Sequence, residues 1–536
     1  MAEAVSTVDV QWWYRGSTVA CNCGSRAFKV ADREKFKLHL RSKFGNSKNL
    51  VEDIPPLPPG KTVVEVIADF LAYLLECTAT YIQDTHPNGK TLWQDFLSAT
   101  HSPTGASNDG IDFVLSHPNG WEGKEQAQMR DAAVKAQLIS DNAEGQDRIS
   151  FVTEGEATLH FAVQNELLSH IEQSEGIVVV DAGGGTIDVS TYKRQQDQGA
   201  QAFEEISEAR CYFHGSVFVT VAARNFLKKN LSESDFLDEI EDIISCFDKT
   251  TKLCFRDDQD PQYIKFGGRK DNDPHVNIRF GQMKLEGVDV ATFFRASIDC
   301  IVQAVMDQKK KFPQIIRHVV LAGGFSASDW LFHKVRDILT NKGMTVIRPE
   351  NNVVKAVSDG VISFYLDHYV RTRVATVTYG VAGNVAYDPS DFEHQKRAST
   401  RFEYIDGCLR IPGRFSPILL KGTQVKEEEV FSGSFGRCAF TPADLRVVNP
   451  KIICYRGQNM SPVWCDTDSK NFTDVFKLVA DVSRVPLASG INTKGRKFYQ
   501  LSYDVVIMFG LTELKAQLRW FENDVEKRSP AKLIYD

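Results

Sequence analysis

One stretch of the chain decides the fold: Ile177-Val-Val-Val-Asp-Ala-Gly-Gly-Gly-Thr-Ile-Asp-Val-Ser-Thr-Tyr192. Its opening run is apolar and β-branched, which is typical of a buried strand that ends at Asp181. Three glycines follow, Gly183, Gly184 and Gly185, and the absence of a Cβ lets their backbone approach a ligand closely. Because their amide N–H groups can converge on one anion, the pattern favours a phosphate-binding turn.

Polar side chains flank the three glycines. Thr186 offers a hydroxyl group, and Asp181 and Asp188 offer a carboxylate on either side. Magnesium prefers hard oxygen ligands and keeps several of its waters, so these aspartates are predicted to hold Mg²⁺ through water. The turn leads into another strand, which argues against a dinucleotide fingerprint, and Gly89-Lys-Thr91 lacks the upstream glycine of a Walker loop. The structural alternative is a glycine-rich hairpin without a ligand.

Composition restricts the class of protein. The chain has 536 residues, of which 42% are hydrophobic and 25% charged, as in globular proteins. Its net charge of −7 gives no reason to expect a nucleic acid or an acidic membrane surface as partner. The eleven cysteines form no paired C-x₂-C elements, so we expect reduced thiols rather than a structural zinc site. With no recognisable signal peptide or membrane-spanning run, a cytoplasmic location is predicted.

The pattern of apolar residues predicts several regions. Residues 1–60 are irregular and end in a proline-rich linker. Strand-like and helix-like stretches then alternate as far as residue 372, which predicts an α/β sheet. Residues 373–536 show short alternating runs separated by Gly, Pro, Asn and Asp, and this predicts a β-rich, sandwich-like C-terminal domain.

Residues 181–188 resemble the second phosphate-binding motif of the actin-like ATPase superfamily, in the form found in the seventy-kilodalton heat-shock proteins. Further segments match in the same order. They are residues 113–121 through 152–157 (first connecting segment), Phe213-His-Gly-Ser216 (a glycine turn that touches the nucleotide), Val319-Val-Leu-Ala-Gly-Gly-Phe-Ser326 (adenosine motif) and Lys355-Ala-Val-Ser-Asp-Gly360 (second connecting segment). The details are most similar to the divergent heat-shock-like branch of fungi and animals.

The resemblance implies a ribonuclease H-like fold of two lobes that close on ATP or ADP with Mg²⁺. Residues 61–175 would be the remnant of lobe I, and residues 176–372 would be lobe II with the second connecting segment. Asp181 and Asp188 would hold the water shell of the metal, Thr186 would lie near the γ-phosphate, and Glu154 would orient the attacking water. The implied nucleotide contacts are Gly183, Gly184, Gly185, Thr186, Gly215, Ser216, Lys252, Gly323, Gly324 and Phe325. For Lys252 the alternative is a surface lysine on a helix.

One part of the family pattern is not recognisable. The first phosphate motif, a strand followed by Asp-x-Gly-Thr-Thr, has only Tyr14-Arg-Gly-Ser-Thr18 as a nearest candidate, so lobe I is expected to be incomplete at its N-terminus. Losing several charge-assisted hydrogen bonds, at about 1.5–3 kcal/mol each, would weaken nucleotide binding by orders of magnitude. Hydrolysis would suffer more, because it depends on positioning and electrostatics.

The predicted function is therefore that of a heat-shock-like ATP-binding protein with weak or no hydrolysis. A chaperone-like role, with a client polypeptide or a co-chaperone as partner, rests on the resemblance alone. Two alternatives stay open. One is a scaffold, or pseudo-ATPase, that does not bind nucleotide. The other is a small-molecule kinase of the same fold, for which no catalytic aspartate base is evident.

Overall fold

The computed structural model describes residues 20–21, 28–29, 39–40, 56–98, 111–121, 123–196, 201–350, 353–510, 513–522, 525–529 and 532–534. The candidate at Tyr14–Thr18 lies outside these residues. The chain divides into a first unit, residues 1–121 and 128–370, and a second unit, residues 122–127 and 371–536. The division of the first unit into two lobes stays a prediction.

Up to residue 367 the elements are, in chain order, β1 Ala20–Cys21, β2 Phe28–Lys29, α1 Val63–Thr85, α2 Gly89–Ser98, β3 Phe113–His117, α3 Gly123–Lys135, α4 Ala143–Asp147, β4 Ile149–Thr153, α5 Glu154–Gln164, β5 Gly176–Ala182, β6 Ile187–Gln196, β7 Gln201–Tyr212, α6 Ser216–Asn230, α7 Ile240–Cys246, α8 Lys252–Cys254, β8 Gln262–Lys265, β9 Ile278–Arg279, β10 Gln282–Leu285, α9 Gly287–Lys311, β11 Ile316–Ala322, α10 Asp329–Thr340, β12 Thr345–Ile347 and α11 Ala356–Asp367. Strands therefore alternate with helices, as the sequence predicts.

The central sheet of the first unit has the strand order β12-β11-β5-β6-β7. Strand β5 pairs in parallel with β11 and in antiparallel fashion with β6. All seven residues of β5 are buried, because helices cover both faces of the sheet. Val178 and Val180 join the apolar cluster of α6, α9 and α10, whereas Ile177 and Val179 join that of α5. The end of β5 is therefore held in place by a sheet that helices cover on both faces.

The segment before β5 forms a smaller layer. Strands β3 and β4 pair in parallel, and their apolar residues pack with those of α1 and α3. Helix α1 begins at a capping box, in which Thr62 and Glu65 each accept a hydrogen bond from the backbone N–H of the other. Helix α11 packs so closely on α5 that a Cβ at Gly360 would overlap the carbonyl oxygen of Ala157.

The second unit is β-rich, as predicted. Its elements are β13 Val370–Val374, β14 Thr378–Ala386, α12 Phe392–Lys396, β15 Phe402–Glu403, β16 Leu409–Leu419, β17 Gln424–Lys426, β18 Val430–Ala439, β19 Val447–Val448, β20 Lys451–Tyr455, β21 Phe472–Asp481, β22 Ala488–Ile491, β23 Lys497–Gly510, β24 Glu513–Glu522, β25 Val525–Arg528 and β26 Lys532–Ile534.

Two sheets contain most of the strands of this second unit, while β13 and β17 pair with each other in antiparallel fashion. One has the order β15-β16-β14-β20-β21-β19, with β26 also on β21, and the other has the order β18-β23-β24-β25, with β22 also on β23. Apolar residues of both sheets, such as Val381 and Ile452 of the first and Leu501 and Val505 of the second, share one buried cluster. The two sheets therefore pack face to face as a sandwich. Among the described helices of the chain, each is too short or too polar to cross a membrane.

Candidate nucleotide site at the end of the central sheet

The two predicted metal-holding aspartates lie side by side. Asp181 at the end of β5 is directly opposite Asp188 in β6, so both side chains project from the same face of the sheet. Both are buried, at 4% and 0% exposure. On either side of this pair stand Ala322 of β11 and Cys211 of β7, which pair with Asp181 and Asp188 respectively. The carboxylates are thus held by the core strands rather than by a loop.

The glycine turn, residues 183–186, is closed by a hydrogen bond from the Gly183 N–H to the Thr186 carbonyl oxygen at 2.9 Å. The first turn of α6 docks on it. The three glycine carbonyls accept N–H donations there: Gly183 from Ser216 at 3.1 Å, Gly184 from Val217 at 2.9 Å, and Gly185 from Gly215 at 3.3 Å. A side chain at Gly215 could not be accommodated, because its Cβ would lie 2.5 Å from the Gly184 oxygen.

This docking fixes the direction of the amides in the glycine turn. In a planar trans peptide, the carbonyl and the N–H of the next residue point in opposite directions. The three glycine carbonyls point at α6. The N–H groups of Gly184, Gly185 and Thr186 therefore point away from α6, as a cluster of donors of the kind that suits an anion.

The turn after β11, which carries Gly323 and Gly324, lies against the end of β5. Gly323 has a φ of +84°, which favours glycine, and a Cβ there would overlap the Asp181 carboxylate and lie 2.5 Å from the Ala182 oxygen. By contrast, a Cβ at Gly324 would have no neighbour within 4 Å. The side chain of Phe325 is buried and stacks on Phe294 with ring centroids 6.1 Å apart. Its side chain is thus part of the apolar core, and only its backbone is left for the predicted nucleotide contact.

Glu154 is the first residue of α5, and its side chain is half-buried. The next residue, Gly155, lies against the site, because a Cβ there would overlap the Ser190 hydroxyl and lie 3.1 Å from the Asn119 side chain. Ser190 follows Asp188 by two positions on β6, and therefore lies on the same face. The structure thus brings the N-terminus of α5 next to the Asp188 strand.

Asn119 is a site residue that the sequence reasoning missed. Its backbone N–H donates to the Asp188 carboxylate at 2.7 Å, and its side-chain amide donates to the Ser190 hydroxyl at 3.0 Å and to the Arg210 carbonyl at 3.3 Å. The only signal in the sequence is the turn His117-Pro-Asn-Gly120, in which asparagine is an ordinary turn residue.

Lys252 is buried, at 7% exposure, so the alternative of a surface lysine is wrong. Its ammonium group pairs with Asp248 and donates to the Thr220 hydroxyl at 3.2 Å. Thr220 lies on α6, about one helical turn beyond Ser216. A π-helical segment, Phe247–Thr251, directly precedes Lys252, and the Lys252 side chain contacts α6. Regular helical spacing in the sequence does not predict this contact.

Burial and neighbouring charges shift the pKa values of two ionisable groups in this region. Burial lowers the pKa of His214, whose ring stacks on Phe218 in the first turn of α6. Burial would raise the pKa of Asp329, but a hydrogen bond from Arg348 and the charges of Arg348 and Arg256 outweigh it and lower that pKa. Arg348 also donates to the Ser326 carbonyl at 3.1 Å and so anchors the segment after Gly324.

The carboxylates at this site suit a metal ion that keeps most of its water ligands. Among the described residues, no three His, Cys, Asp or Glu side chains are grouped to hold an ion directly. Two buried carboxylates on one sheet face are compatible with Mg²⁺ bound through water, which requires fewer protein ligands. When bound, the ion would supply charge neutralisation to a polyphosphate.

Comparison with known proteins gives a distant relationship. A family model described as Domain of unknown function (DUF8340) matches residues 170–266, which include the glycine turn and Lys252. Heat shock 70 kDa protein 12A of Mus musculus is 26% identical over 254 residues, covering 41% of this chain and 37% of the mouse protein. The Homo sapiens protein of the same name is 25% identical over the same coverage. The chain is distantly related to these heat-shock proteins. It spans about 37% of the length of each relative.

Proposed function

We propose that this chain binds ATP or ADP together with Mg²⁺ at the glycine turn. The observation that carries the proposal is the direction of the three amides in that turn, away from α6, beside a pair of buried aspartates on core strands. Backbone amides with no side chain between them and the ligand are the usual protein donors to phosphate oxygens. The distant heat-shock relationship supports the same assignment.

Each predicted residue then has a role. Asp181 and Asp188 hold the hydrated Mg²⁺, while the N–H groups of Gly184, Gly185 and Thr186 bind the phosphates. Gly183, predicted as a fourth contact, instead uses its N–H to close the turn, and Gly215 and Ser216 support the turn from α6. The nucleoside side is formed by Gly323, Gly324, the backbone of Phe325 and Lys252. The Lys252 ammonium group has three N–H donors. Two of them donate to Asp248 and Thr220, and the third can donate to the ligand.

We propose that turnover is weak or absent, with Glu154 as the residue that would orient water. Only the glycine-turn side of a two-sided phosphate clamp is identified in this sequence. Phosphoryl transfer requires the charge of the transferred group to be neutralised from all sides, so it is more sensitive than binding to an incomplete clamp. A chaperone-like role, a client polypeptide or co-chaperone as partner, and a cytoplasmic location belong to the same proposal.

Calorimetric titration with Mg-ATP tests the proposal. Asp181→Asn removes one charge with little change in shape, and it is expected to weaken binding at least tenfold, since a charge-assisted contact is worth about 1.5–3 kcal/mol. The matched control is Asp406→Asn, which removes an aspartate of the second unit that is paired with Arg410. Equal affinities for both variants would contradict the site. Phosphate release by the wild type should stay close to that of Glu154→Gln, and a much faster rate would contradict weak turnover.

One observation favours the scaffold as a second candidate. Gly184 and Gly185 are buried, and Gly215 packs directly against them. The glycines could thus serve only the close approach of α6 to β5. Thermal melting separates the two functions, because a ligand at 100 times its Kd stabilises the folded state by about 2.7 kcal/mol. No shift with millimolar Mg-ATP would support the scaffold.

A further inference from the structure

We infer that Asn119 is a positioning residue for the Asp188 carboxylate, an inference that rests on the proposed Mg-nucleotide site. Asn119 lies in the turn after β3, far from Asp188 along the chain. Its backbone N–H nevertheless donates to Asp188 Oδ1 at 2.7 Å, inside a buried environment. A hydrogen bond to an ionised acceptor is shorter and stronger than one between neutral groups, so this contact fixes the orientation of the carboxylate.

The side chain of Asn119 holds that N–H in place. Its Nδ2 donates to Ser190 Oγ on β6 at 3.0 Å and to the carbonyl oxygen of Arg210 on β7 at 3.3 Å. One amide group therefore ties the turn to two neighbouring strands, on the same face as Asp188. Without it, the turn would lose both side-chain contacts to the strands that flank Asp188.

Asn119 also joins Asp188 to the helix that carries Glu154. A Cβ at Gly155 would lie 3.1 Å from both polar atoms of the Asn119 side chain, so the first turn of α5 packs directly on it. The orientation of Asp188 and the position of the α5 N-terminus thus depend on the same side chain. Partners that orient a direct metal ligand affect affinity by about 10–100-fold when they are removed, and for a carboxylate that holds Mg²⁺ through water we expect the lower end of that range.

The test is a magnesium titration of the full chain at saturating ADP. The melting temperature is measured at each Mg²⁺ concentration. Asn119→Ala is expected to raise the Mg²⁺ concentration at half-maximal stabilisation by about tenfold. Ser190→Ala, which removes one acceptor of the same amide, is expected to act in the same direction with a smaller effect. The matched control is Asn165→Ala. Asn165 also donates to a backbone oxygen, that of Phe161 at 2.9 Å, but it does so at the other end of α5.

Melting without ligand separates positioning from folding. A structural role alone would lower the melting temperature of Asn119→Ala and leave the magnesium midpoint at the wild-type value, and that result overturns the inference. If the wild type shows no stabilisation by ADP at any Mg²⁺ concentration, the proposed function fails as well. If Asn119→Ala does not fold, an unchanged magnesium midpoint in Ser190→Ala overturns the inference by itself.

Discussion

Gly323→Ala tests whether the adenosine-motif turn and the aspartate pair form one site. The alanine would destabilise the fold for two reasons. The backbone of residue 323 has a φ of +84° and a ψ of 160°, a region that is essentially restricted to glycine, and an L-residue there costs about 1–3 kcal/mol. The new Cβ would also overlap the Asp181 carboxylate and lie 2.5 Å from the Ala182 oxygen, well inside an ordinary contact, and forced overpacking costs about 1–3 kcal/mol. The free energy of unfolding should therefore fall by about 2–6 kcal/mol.

Two other glycines of the first unit serve as controls. Gly343 has a φ of +74° but would have no neighbour within 4 Å of a new Cβ, so Gly343→Ala should cost only the backbone strain of about 1–2 kcal/mol. Gly324 has an open Cβ position and no positive φ, so Gly324→Ala should change stability by less than about 0.5 kcal/mol. Urea unfolding followed by tryptophan fluorescence measures all three. If Gly323→Ala is no more destabilising than Gly343→Ala, the Gly323 turn does not pack closely against Asp181.

Other parts of the first unit give further predictions. Gly360→Ala should lower the free energy of unfolding by about 2 kcal/mol or more, because its Cβ would overlap the Ala157 carbonyl, and urea unfolding would show it. Lys252→Met should weaken Mg-ATP binding about tenfold or more in calorimetry, and an unchanged Kd would remove this lysine from the site. The lowered pKa of Asp329 stabilises the fold above its unfolded-state pKa and is lost as the pH falls through the folded value. Wild type should therefore lose more stability than Asp329→Asn when acidified below about pH 4, and parallel losses in melting experiments would contradict this.

The sequence predicted those parts of the site that are local in the chain. The apolar run before Asp181, the glycines after it and Asp188 lie within one hairpin, so their spacing fixes their proximity. The Gly323 turn was predicted from its resemblance to a family motif, and its observed position agrees with the rule that the carboxyl ends of parallel strands meet at one edge of a sheet.

The contacts that sequence reasoning missed join distant segments. Asn119 and Asp188 are 69 positions apart, and no periodic pattern specifies their hydrogen bond. The burial of Lys252 depends on a π-helical segment and on a threonine of another helix. Phe325 was predicted to contact nucleotide, yet its side chain fills the core against Phe294. Backbone geometry decides each of these outcomes, because it sets which side chains face one another.

The amides of the glycine turn are proposed to bind a metal-chelated polyphosphate. Paramagnetic broadening by Mn-ATP in a chain labelled with ¹⁵N-glycine measures this most directly, since Mn²⁺ broadens only the amide signals close to it. If the turn binds the polyphosphate, the Gly183, Gly184 and Gly185 signals should be lost first, whereas that of Gly176, at the opposite end of β5, should be broadened much less. Retention of the three turn signals at saturating Mn-ATP, or their loss only together with that of Gly176, would contradict binding at the turn.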